Sequence, residues 1–104
     1  MIYSTKLLST TVNATGAPVP TNNPGGTFQA SLVGTGVISC SVAMQATLDL
    51  VNWVTLGTLS LSDTVTTGTL ATTGTWLAYR AVASAVTPGV GTITSITAYL
   101  GQVV

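Results

Sequence analysis

A chain of 104 residues has room for one hydrophobic core and leaves no space for a second domain. It is 46% hydrophobic and only 4% charged, where globular proteins carry about one quarter charged residues. Its ionisable side chains reduce to Lys6, Asp49, Asp63 and Arg80, with Cys40, three tyrosines and no histidine. Two isolated cations cannot form the patch that neutralises nucleic-acid phosphates or binds an anionic membrane surface, so neither is expected as a partner.

Threonine makes up roughly a fifth of the chain, and Ser, Gly, Ala and Val supply much of the rest. That is a strand-forming vocabulary with few helix formers. Ile2 to Val12 reads as a first strand. Lys6-Leu7-Leu8 is cut short by Ser9, Thr10 and Thr11, so the start of the chain does not read as a signal peptide. No run approaches the ~18 apolar residues that span a bilayer, and a soluble chain is expected. Residues 13–26 hold three prolines (Pro18, Pro20, Pro24), three asparagines (Asn13, Asn22, Asn23) and three glycines. Such an irregular stretch usually has a task. An arm contacting a neighbouring subunit through Pro18, Pro20, Asn22, Asn23 and Pro24 is one reading, and a plain surface loop is the other.

Thr27 to Val33 forms a second strand, ended by Gly34-Thr35-Gly36. The cleanest signal follows. Ile38, Cys40, Val42, Met44, Ala46 and Leu48 alternate with Ser39, Ser41, Ala43, Gln45 and Thr47, which assigns the first set to the core face. Asp49 to Asn52 is a tight turn, and Trp53 to Leu61 is the next strand, with Gly57 a candidate bulge. Thr64 to Ala71 forms a short strand, Thr72 to Thr75 a turn, Trp76 to Val86 a long strand, and Val90 to Leu100 the last. About six to eight strands with regular turn signals predict an all-β antiparallel sandwich or jelly-roll-like barrel.

Chemistry is scarce. Asp49 and Asp63 bracket one strand, so they sit too far apart for paired acid–base work. One Cys, two Asp and no His do not make a zinc site, and no metal or other cofactor is expected. Cys40 falls on the predicted core face without a cation beside it in sequence, and reads as a small buried hydrophobe. Trp53 and Trp76 each follow a turn. They could plug the ends of the sandwich, the preferred reading. Alternatively they form a glycan platform, with Asp49 and Asn52 supplying hydrogen bonds. Arg80 lies mid-strand and needs a partner, with Asp49, Asp63 or another subunit as candidates.

The stretch from Gln45 to Thr58, with Asp49-Leu50-Val51-Asn52-Trp53 at its turn, resembles a hairpin of small tailed-bacteriophage virion proteins of the capsid decoration or cement type. Trp76-Leu77-Ala78-Tyr79-Arg80-Ala81 and the Gly91-Thr92-Ile93-Thr94 to Leu100-Gly101 segment are similar to later strands of the same proteins. Leu50 departs from the pattern, which usually has glycine there. The resemblance implies a β-sandwich or jelly-roll virion protein without enzymatic activity. It would sit on the outer capsid surface, with the major capsid protein and copies of itself, as a dimer or trimer, for partners. A tail- or fibre-associated carbohydrate-binding module is the alternative.

Overall fold

The computed structural model describes residues 2–20 and 25–103. They form nine strands: β1 (Ile2–Thr10), β2 (Ala14–Thr15), β3 (Val19–Pro20), β4 (Gly26–Thr35), β5 (Ser39–Thr47), β6 (Trp53–Ser62), β7 (Thr67–Thr72), β8 (Ala78–Thr87) and β9 (Thr92–Val103). One sheet has the order β1-β9-β4-β7; the other runs β2-β8-β5-β6, with β3 also pairing β8. All pairs are antiparallel.

The topology follows from treating β2 and β3 as one interrupted strand. The chain is then a long hairpin with its tip at the β5–β6 turn, and the two arms pair outward from there as β5·β6, β4·β7, β2/β3·β8 and β1·β9. Rolling that ribbon adds the β4·β9 and β5·β8 pairs. This is the strand order of a jelly roll. The expected all-β antiparallel sandwich is the observed fold, and strand limits shift from the sequence reading mostly by one or two residues.

Period-two alternation supplies the core. Across each sheet, large side chains meet either large or small ones in register. Phe28 faces Leu100, Ala30 faces Ala98 and Leu32 faces Ile96 in the first sheet. Val42 faces Ala83, Met44 faces Ala81 and Ala46 faces Tyr79 in the second. All twelve are buried. Alternating bulky and small positions lets the layers interdigitate at roughly the 10 Å spacing of packed sheets. At the centre, Phe28 and Tyr79 meet edge to face across the two sheets, with ring centroids 5.4 Å apart and planes at 70°.

Tyr79 is fully buried, and its hydroxyl has no hydrogen-bond partner among the described residues. Burial pushes its phenol above the ordinary 10.0. A buried hydroxyl without a mate costs about 1–3 kcal/mol. Tyr79→Phe is therefore expected to raise unfolding free energy by about 1 kcal/mol, read by urea denaturation. A loss of stability on that change would refute the unpaired hydroxyl.

The irregular stretch is only partly irregular. Ala14 and Thr15 pair with Ala83 and Val82, and Val19 and Pro20 with Tyr79 and Ala78. Between them Gly16 N–H donates to Ala81 O at 2.8 Å, and Asn13 Oδ1 accepts from Val86 N–H at 3.0 Å. An ideal Cβ on Gly16 would stand 2.0 Å from Leu7 O, so only glycine lets this segment close onto β1. Residues 13–20 thus seal the edge of β8 instead of projecting as an arm.

Leu48 was expected in the core and is instead 67% exposed, whereas Thr47 is fully buried. The strand ends at Thr47, so the alternation stops one residue before the sequence pattern does. The hydroxyl of Thr47 is wanted inside the turn that follows.

Candidate functional site

The Asp49–Asn52 turn is built around two side chains. Asp49 Oδ1 accepts from Val51 N–H at 2.9 Å and Asn52 N–H at 2.8 Å, and Asp49 Oδ2 accepts from Asn52 Nδ2 at 2.9 Å. Thr47 Oγ1 donates to Asn52 O at 2.6 Å, with Asp49 Oδ1 a more distant acceptor at 3.1 Å. The same oxygen accepts from Leu50 N–H at 3.1 Å and Asp49 N–H at 3.3 Å. The Asn52 and Val51 backbone donors hold the Asp49 carboxyl well below the usual carboxylate range, with the Asn52 side chain adding to them. Asp49 and Asn52 are therefore occupied in shaping the turn.

Leu50 sits in this turn with φ of 63°. That is the left-handed conformation that favours glycine, held here by a leucine. A branched side chain there costs about 1–2 kcal/mol against the right-handed region, while glycine loses more chain entropy. Leu50→Gly is expected to stabilise the fold by about 0.5–1 kcal/mol in thermal or urea unfolding.

Trp53 lies half-buried on the outer face of the second sheet. The Arg80 guanidinium carbon stands 4.2 Å from the Trp53 ring centroid. Arg80 Nε donates to Gln45 Oε1 at 2.7 Å, and Gln45 Nε2 donates to Thr55 Oγ1 at 3.2 Å. Register explains the cluster: Gln45 is paired with both Thr55 and Arg80. Arg80 is thus held by an amide and an indole, not by Asp49 or Asp63, and it covers one face of the Trp53 ring. Sequence alternation alone could not have found this, since Gln45, Thr55 and Arg80 are seen to share a face only once the register is known. Trp76 is different. It precedes β8, packs against the core and leaves its buried Nε1 without a partner among the described residues. One tryptophan is packing and the other is a support for a cation.

The remaining candidates are quickly placed. Pro18 and Pro20 are exposed along β8, and Asn22, Asn23 and Pro24 lie outside the described residues. Cys40 is buried, and burial pushes its thiol above the ordinary 9.0. Asp49 and Asp63 stand at opposite ends of the ten-residue strand β6, roughly 30 Å apart at strand rise. No cluster of three or more His, Cys, Asp or Glu occurs among the described residues.

What the sequence reading did not find is a distribution. The exposed large aliphatic residues fall into two groups, at the two ends of the sandwich. Leu48, Leu50, Val51, Val54 and Leu77 gather around the β5–β6 turn, tied there by Leu77 N–H donating to Thr47 O at 2.9 Å. Val12, Val33, Val37, Val65 and Val90 gather at the other end, where the turns meet so closely that a Cβ on Gly36 would fall 2.7 Å from Gly91 Cα. The faces between are rich in hydroxyls. Ser41 pairs with Ser60 and Ser84, and Ser31 with Thr67 and Thr97. Each face carries one cation laid over a ring, Arg80 on Trp53 and Lys6 at 5.9 Å from the Tyr99 centroid.

No protein family model, no characterised protein sequence and no solved structure matches this chain.

Proposed function

We propose that this chain is a structural protein of a tailed-phage particle, a capsid decoration protein that lies on the outer surface of the head and bridges major capsid subunits. The observation that carries the reading is the pair of apolar ends. Val90 is 95% exposed, Val51 77%, and Leu48 and Val37 67% each, on a molecule with almost no surface charge to keep it apart from others. Apolar clusters of this kind mark surfaces covered by protein. Jelly rolls recur in viral coat domains, which supports the reading by analogy of fold alone.

The mechanism is adhesive. Several weak contacts made together, by a dimer or trimer seated across a subunit seam, hold far better than any one alone. Because the contacts are apolar and hydroxyl-rich, they resist salt. Imaging of the purified particle at subnanometre resolution is expected to place the domain over seams between major capsid subunits, with one apolar end against the shell. Density confined to the tail, or release of the protein by mild salt alone, would refute the proposal.

Jelly rolls also occur as lectin domains, so a tail- or fibre-associated carbohydrate module is the second reading. Its platform would be the Trp53 ring, which already carries Arg80 on one face, with Asp49 engaged in its turn. Glycan-array binding lost in Trp53→Ala, with the fold intact, would favour it.

A further inference from the structure

We draw no further inference here: the strongest candidate, the side-chain cluster of Arg80, Trp53 and Gln45 on the outer face of the second sheet, carries nothing because a single surface guanidinium holds an anion only weakly and nothing in the structure shows what covers it.

Discussion

Replacing Phe28 with alanine is expected to lower the unfolding free energy by about 3–5 kcal/mol, a large share of the roughly 5–15 kcal/mol that holds a domain folded. Phe28 is fully buried on β4, and its ring meets Tyr79 of β8 from the opposite sheet. The flanking positions on its own face offer little to collapse into the gap, since Ala30 lies two residues along and faces Ala98. A cavity that cannot close carries its full cost. Urea denaturation would measure the loss, and Phe28→Leu, which keeps most of the volume, should cost clearly less. Equal losses for the two variants would argue against a ring wedged between the sheets.

The second large effect is expected at the tip of the long hairpin. Thr47→Val keeps the shape of the side chain but strips the oxygen that bonds Asn52 O, Leu50 N–H and Asp49 N–H. A Thr-to-Val change is not neutral at such a site. Leaving those groups unmatched should cost about 2 kcal/mol, and Thr47→Ser should recover most of it. Asp49 adds a dependence on pH with a defined sign. Its folded-state carboxyl titrates far below the ordinary 3.8 because backbone donors of Asn52 and Val51 favour the charged form. Its contribution is therefore complete above about pH 4 and is lost as acid is added through the strongly acidic range. Asp49→Asn should flatten the acid limb of the stability curve relative to the parent. An unchanged limb would mean that the carboxylate does not hold the turn.

Much of the fold can be read from residue order because period-two alternation is a direct record of which face is buried. Ile38, Cys40, Val42, Met44 and Ala46 recur at every second position, and all five are in the core. The reading failed at Leu48 because a local hydrogen-bonding demand, the Thr47 hydroxyl, ended the strand early. It also missed the closure of residues 13–20 onto β8, since two-residue bridges leave no periodic trace and the hydrogen bonds that make it, Gly16 N–H to Ala81 O and Val86 N–H to Asn13 Oδ1, join distant parts of the chain. The candidate site was legible only as a list. Trp53, Asp49, Asn52 and Arg80 could be named, but their grouping depends on register. Pairing Gln45 with Arg80 on one side and Thr55 on the other turns a lone charge into a supported one.

The pairing of β1 with β9 has a consequence for how the molecule is made. Ile2 sits opposite Val103 and Thr10 opposite Ile96, so the first strand of the domain has its neighbour in the last. Until β9 has been made, β1, with the buried Leu7 and Leu8, lacks its sheet neighbour. Assembly should wait on this distant closure and run slowly for a chain of its size, with the interval before it the period of greatest risk of clumping.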